Sequence, residues 1–293
     1  MSGPDKVGNP RGAAGLVRSL AAGLIAGLVL PALGGAAEPT WQDEFNQPAG
    51  TGPDPARWAY DLGNGEDGWG NAEKERYTDS RHNSFVVDDP EATDGKALVL
   101  RAERASDGSF TSARIKTAGK KYFRHGHIEA RMRLPVGAGI WPAFWLLGRR
   151  VDELGWPAGG EIDIMEMVGR QPGTTHGTLH GPGYSGDAGL HGMASLPDGK
   201  PFHEAYHVFS LDWSPGKIVW SLDGHPFQVF TRGDVPPGGR WVFDDDSFFI
   251  ILNLAVGGRW PGYPDDTTEF PQELRIDYVR VFAAPSGSVP PGT

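Results

Sequence analysis

The chain predicts an all-β fold of many short strands, and two features carry that reading. From Trp41 onward, apolar and polar residues alternate in short runs, with no sustained helical periodicity. Gly, Pro, Asp and Asn stand between the runs, where turns are needed. Frequent turns between many short strands imply a sandwich or a barrel.

Residues 1–37 read as an export signal. Lys6, Arg11 and Arg18 precede an apolar run over 20–33, and Gly34-Gly35-Ala36-Ala37 offers small residues for cleavage before Glu38. The run is shorter than the roughly 20 residues a membrane span needs, so secretion is expected, with an uncleaved anchor as the alternative. Residues 38–284 hold the strands and form one domain. Runs 97–101 and 127–134 alternate with period 2, as half-buried strands do. Run 218–222 ends in Asp223-Gly224, a hairpin turn signal. Residues 247–255 are almost continuously apolar and predict a buried strand, and 274–282 alternate again. Residues 285–293 are a polar Pro/Gly tail, expected to be flexible.

Composition narrows the partners. A length of 293 residues with 39% hydrophobic content suits one sizeable core. The net charge of −10, without a basic cluster, disfavours nucleic acid, anionic membranes and polyanionic substrates. Ten Trp suit a protein that stacks aromatic rings on neutral sugars, although core packing also uses them. With no Cys, thiol nucleophiles, disulfides and lipid-attachment cysteines are excluded.

The segment Gly160-Glu161-Ile162-Asp163-Ile164-Met165-Glu166-Met167 concentrates the chemistry. Its apolar residues and lack of internal Gly or Pro predict a strand. Glu161 and Asp163 then share one face, while Glu166 is one residue out of phase. A β-bulge between Asp163 and Glu166 would bring Glu166 back to that face. The two Glu Cα atoms would then lie roughly 13 Å apart, at about 3.3 Å per residue. Side chains leaning together would close this to the about 5–5.5 Å that retaining glycosidases place between nucleophile and acid/base. A solvated strand face usually mixes charge signs, and this one carries three acids without a base.

Glu161-Ile-Asp-Ile-Met-Glu166 resembles the active-site strand of family 16 glycoside hydrolases, in the bulged E-x-D-x-x-E form found in laminarinases, agarases and carrageenases. The resemblance implies a β-jelly roll of two curved antiparallel sheets, with a substrate cleft on the concave face. It implies Glu161 as nucleophile, Glu166 as acid/base, and Asp163 as the residue holding their protonation through a hydrogen bond to Glu161. Thr111-Ser-Ala-Arg114, Gly139-Ile-Trp141-Pro-Ala-Phe-Trp145 and Thr178-Leu-His180-Gly-Pro-Gly-Tyr resemble cleft segments of the family. So do Trp69-Gly-Asn71-Ala-Glu73, Asn253-Leu-Ala-Val-Gly-Gly and Trp260-Pro-Gly. Substrate contacts are therefore expected from Asn71, Arg114, Trp141, Trp145, His180, Asn253 and Trp260. Lys74-Glu75-Arg76 and Arg259 are more charged than the family norm.

The resemblance further implies a secreted, monomeric endo-β-1,3-glucanase acting on laminarin-like glucans, with no cofactor needed for catalysis. Agarose or mixed-linkage glucan is the alternative substrate, and a non-catalytic glucan-binding protein the alternative class. A structural calcium ion on the convex face is implied, held by backbone oxygens and one Asp at Glu44, Gly95 and Asp277, with Asp277 reading as an outward carboxylate in the last strand.

Three other patterns are weaker. His203-Glu204-Ala205-Tyr206-His207 matches the zinc-protease H-E-x-x-H, which works only on a helix. Here a strand-like run follows immediately. Gly63-Asn-Gly-Glu-Asp-Gly68 matches G-x-G-x-x-G but has neither the strand nor the helix that phosphate binding requires. Asp244-Asp245-Asp246 is expected to be a solvated loop rather than a calcium cluster.

Overall fold

The structure is a computed structural model that describes residues 38–284. The expected export signal and the tail lie outside the described residues.

Two sheets pack face to face as a jelly roll. The first has seven strands in the order β12 (Leu190–Ser195), β11 (Thr174–His180), β10 (Glu161–Glu166), β9 (Ile140–Gly148), β16 (Phe248–Val256), β7 (Arg114–Lys116) and β2 (Ala59–Tyr60). The second follows the order β15 (His225–Thr231), β14 (Lys217–Leu222), β13 (His207–Ser214), β8 (Gly126–Arg133), β17 (Gln272–Phe282), β5 (Lys96–Arg104), β6 (Phe110–Ser112) and β3 (Glu75–Tyr77). Two further strands join this sheet, β1 (Trp41–Asp43) on β17 and β4 (Ser84–Asp88) on β5. The expected antiparallel pairing holds except between β3 and β6, which run parallel. Strands β4 and β5 intervene between them, and that long connection lets the chain return in the same direction.

The strands fall where the alternating runs predict them, and the 218–222 run closes its hairpin as expected. Asp223 and Gly224 both take positive φ, 50° and 77°, matching the turn that twists with its strands. Between the sheets lies one core. Ile162, Ile164, Phe144, Leu146, Leu252 and Leu254 enter it from the seven-stranded side. Ile128, Met132, Leu98, Ile276, Trp213 and Trp220 meet them from the other. Each such side chain contributes about 1.5–3 kcal/mol by leaving water. Because alternate residues of a strand point oppositely, the same burial turns their neighbours out onto the far face of the seven-stranded sheet. That face carries the site.

Candidate active site

Strand β10 contains the expected bulge. Against β11 its register runs Glu161↔His180 and Asp163↔Thr178, then slips so that Glu166 faces His176. Against β9 the slip lies between Asp163 and Met165. The extra residue restores the phase, and Glu161, Asp163 and Glu166 all line one cleft. The bulge is anchored from behind. Trp220 of the opposite sheet donates its indole N–H to the Asp163 carbonyl at 2.7 Å. Gly177 makes room for that ring, since a Cβ there would stand 2.6 Å from it.

Each carboxylate has its own partner. Trp156 donates to Glu161 Oε2 at 3.2 Å, and Trp141 to Glu166 Oε1 at 3.1 Å. His180 Nε2 lies 3.2 Å from Asp163 Oδ2 and 3.7 Å from Glu161 Oε1. The His180 imidazole thus stands beside both carboxylates. Two carboxylates on one strand face repel unless they share a proton, whereas His180 is the cross-strand register partner of Glu161.

Burial dominates the electrostatics. It pushes Glu161 up to about 8, with the Asp163 charge as the next cause. Asp163 rises to about 8 by burial. Glu166 is raised well above the usual carboxylate range by burial and then by Asp163. His180, Arg114 and the Trp156 N–H all act to lower Glu161. The cleft thus favours Glu161 as the group that ionises and Glu166 as the group that keeps its proton, the division that acid–nucleophile chemistry needs. Asp163→Asn should move both limbs of the kcat/KM pH profile to lower pH, because it removes the negative charge that raises both Glu residues. A shift of roughly one pH unit corresponds to about 1.4 kcal/mol of lost repulsion. An unmoved profile would show Asp163 to be neutral during turnover.

The cleft measures about 1110 Å³, and all seven expected substrate contacts line it. Arg114 is buried rather than in a surface ion pair. Its guanidinium lies 4.6 Å from the Trp69 ring and 4.9 Å from Trp145, with Asp61 2.9 Å away. Trp145 donates to Asn253 at 2.8 Å, which fixes the Asn amide. Trp141 faces the cleft too, and Trp260 packs edge-on against it at 5.5 Å. Trp156, His176 and His191 are among the cleft residues that escape the sequence reading. Trp156 sits in a loop before β10, and only the folded loop reveals its bond to Glu161. His176 was within reach of alternation, since 176, 178 and 180 share a strand face. Its Nδ1 lies 2.8 Å from His191 Nε2 on β12. Burial, with His191 beside it, holds His176 down at about 4, so it stays neutral next to Glu166.

Other expectations are corrected. Asp277 is only 1% exposed, because at the Ile276/Tyr278 bulge Thr93 and Arg131 cover its carboxylate. There it accepts from Thr93 and Arg131. Both Glu44 oxygens bind Arg280, and the Gly95 carbonyl accepts the Asp89 N–H. The ion that the resemblance implies would be held by backbone oxygens and the one Asp277 carboxylate, which Arg131 already neutralises. Asp244 is likewise buried, accepting from Arg232, Trp241 and the Gly216 N–H. In the H-E-x-x-H pattern only His207 is in a regular element, opening β13 with its Nδ1 2.7 Å from Asp223. No helix supports a zinc site there. Residues 63–68 form the loop leading to the cleft, and Glu66 and Asp67 line its rim.

A bulged strand presenting paired carboxyls inside a Trp-walled cleft defines the working face of a glycoside hydrolase. The chain belongs to glycosyl hydrolases family 16, whose profile matches residues 75–280. It is 38% identical over 256 residues to a Rhodothermus marinus beta-glucanase, covering 84% of this chain and 85% of that one. It is 35% identical over 258 residues to glucan endo-1,3-beta-glucosidase A1 of Niallia circulans, covering 83% of this chain but only 37% of that enzyme's length. Among solved structures, the laminarinase catalytic domain of Thermotoga maritima MSB8 superposes with a TM-score of 0.76 at 44% identity, covering 84% of this chain and 98% of that one.

Proposed function

We propose that this chain is a secreted, monomeric endo-β-1,3-glucanase that cleaves laminarin-like glucans with retention of configuration. The observation that carries the reading is the phase-restoring bulge, which brings Glu161 and Glu166 into one cleft. The laminarinase and glucanase relatives support the choice of β-1,3-glucan. Trp69, Trp145 and Trp260 wall the same cleft as the carboxyls and offer a bound glucan chain several aromatic faces. Among the described residues no helix is long and apolar enough to cross a membrane.

In the first step Glu161 attacks the anomeric carbon as the glycosidic C–O bond breaks, and Glu166 gives its proton to the departing oxygen. In the second, Glu166 takes a proton from water. The resulting hydroxyl attacks the same carbon and displaces Glu161. The indole donors Trp156 and Trp141 orient the two carboxyls. This chemistry draws on no cofactor.

Reducing-sugar release from laminarin, barley mixed-linkage glucan, agarose and carrageenan tests the substrate. The expected result is laminarin well above barley glucan and no release from the other two. Agarose as the preferred substrate would overturn the β-1,3-glucan assignment while keeping the mechanism. Binding without any release would move the chain to the glucan-recognition class.

A further inference from the structure

Glu75 has no part in the chemistry above. It lies on β3, fully buried, its Oε2 accepting the Val256 N–H of β16 at 2.7 Å. Its Oε1 is buried with no hydrogen-bond partner. Neither neighbouring cation neutralises it. Lys74 reaches over the Tyr263 ring instead, and Arg76 is exposed. A buried carboxyl without a cation is strongly driven to keep its proton.

The polarity of the adjoining network says where that proton points. Trp145 N–H can only donate, so Asn253 must accept with Oδ1 and donate with Nδ2. Asn253 Nδ2 donates to the Tyr77 hydroxyl at 3.2 Å, which in turn donates to Glu73 Oε2 at 3.2 Å. Asn71 Nδ2 donates to Glu73 Oε1 at 3.1 Å. Every bond therefore runs towards Glu73, whose two oxygens both accept, as an ionised carboxylate does. Two residues along, Glu75 offers the one unassigned oxygen.

We propose that Glu75 is a carboxylic acid that stays neutral at neutral pH and donates its proton to Glu73, and that this acid–carboxylate pair positions the sugar-binding end of the cleft walled by Trp69, Arg114 and Trp145. Burial first, and the Glu73 charge second, push Glu75 well above the usual carboxylate range, in accord with the geometry. Tyr77 on the same strand bonds to Glu73, and Arg114 on β7 acts in turn on the Tyr77 hydroxyl. Val256 on β16 and Phe110 on β6, the neighbours of Glu75, bring no charge. Glu75 is a positioning residue. It acts through Glu73 and Asn71, of which both line the cleft.

The sugar-binding part rests on the function proposed above, so the test has two readouts. For wild type, KM for laminari-oligosaccharides should rise from neutral to alkaline pH as Glu75 ionises and the two carboxylates repel. Glu75→Gln keeps a neutral donor in the same place, so its KM should stay within about twofold of the neutral wild-type value and flat with pH. Glu75→Ala should raise KM about tenfold with a smaller change in kcat. Independently, carbon-13 carboxyl NMR of Glu-labelled protein should show a resonance that titrates far above the ordinary range and vanishes in Glu75→Gln. A Glu75→Gln KM as high as that of Glu75→Ala, or a spectrum in which no high-titrating resonance is lost, would overturn the proposal. If no oligosaccharide is turned over, the functional reading fails and the NMR titration alone decides the protonation of Glu75.

Discussion

Glu161→Gln is expected to lower kcat on laminarin by roughly 10⁴-fold or more, about 5.4 kcal/mol of lost transition-state stabilisation. The amide is nearly isosteric and can still accept from Trp156, but it cannot form the glycosyl ester on which the second step depends. The same change should leave the protein more stable at neutral pH. Because burial holds Glu161 at about 8 against an ordinary 4.5, the folded state keeps a proton that the unfolded chain releases. The stability of the wild type is therefore full below pH 4.5 and falls as pH rises towards 8. Gln has no proton to lose, so the melting temperatures of the two proteins should coincide in acid and diverge at neutral pH. Each kcal/mol recovered is worth about 2–4 °C in a domain of this size. Lost activity with a raised neutral Tm separates a missing nucleophile from a damaged fold. Residual turnover near wild type would remove Glu161 from the nucleophile's role.

Much of this site is legible before folding because strand geometry is a two-valued code. Three acids in six positions leave only one way to share a face, and the bulge at Asp163/Glu166 is that way. The apolar run at 247–255 likewise has no choice but burial, and β16 is buried along its whole length. What alternation does not encode is which strand becomes the neighbour. His180 comes to stand beside Asp163 because β11 pairs with β10 in a register that only the sheet reveals. His191 reaches the cleft through β12, one strand further out. Asp277 misleads for the converse reason. Its sequence neighbours suggest an outward carboxylate, but Thr93 and Arg131 of the adjacent β8 cover it, and the guanidinium makes its burial tolerable. Period-2 reasoning gives the face on which a side chain lies, not what covers it.

Glu166→Ala separates the two half-reactions, and its outcome depends on the leaving group. On laminarin, where the departing sugar oxygen must be protonated, kcat should fall by about 10²–10⁴-fold, the usual worth of a positioned general acid. On an aryl β-glucoside oligomer whose phenolate leaves without a proton, bond cleavage by Glu161 should be almost unimpaired. Water then attacks the ester slowly, because no base takes its proton, and the glycosyl enzyme should accumulate as a burst. Azide needs no such base. Added azide should attack the anomeric carbon directly, displace the Glu161 carboxylate and restore turnover, giving a β-glycosyl azide. Trp141 loses its acceptor in this variant, but Trp260 still packs against its ring, so the cavity left by the carboxyl is one the small anion can enter. The configuration of that azide is the decisive reading. The β-anomer requires two inversions and hence Glu161 as a covalent partner. The α-anomer would mean that azide displaced the leaving group directly, and the bulged strand would then be the frame of an inverting enzyme.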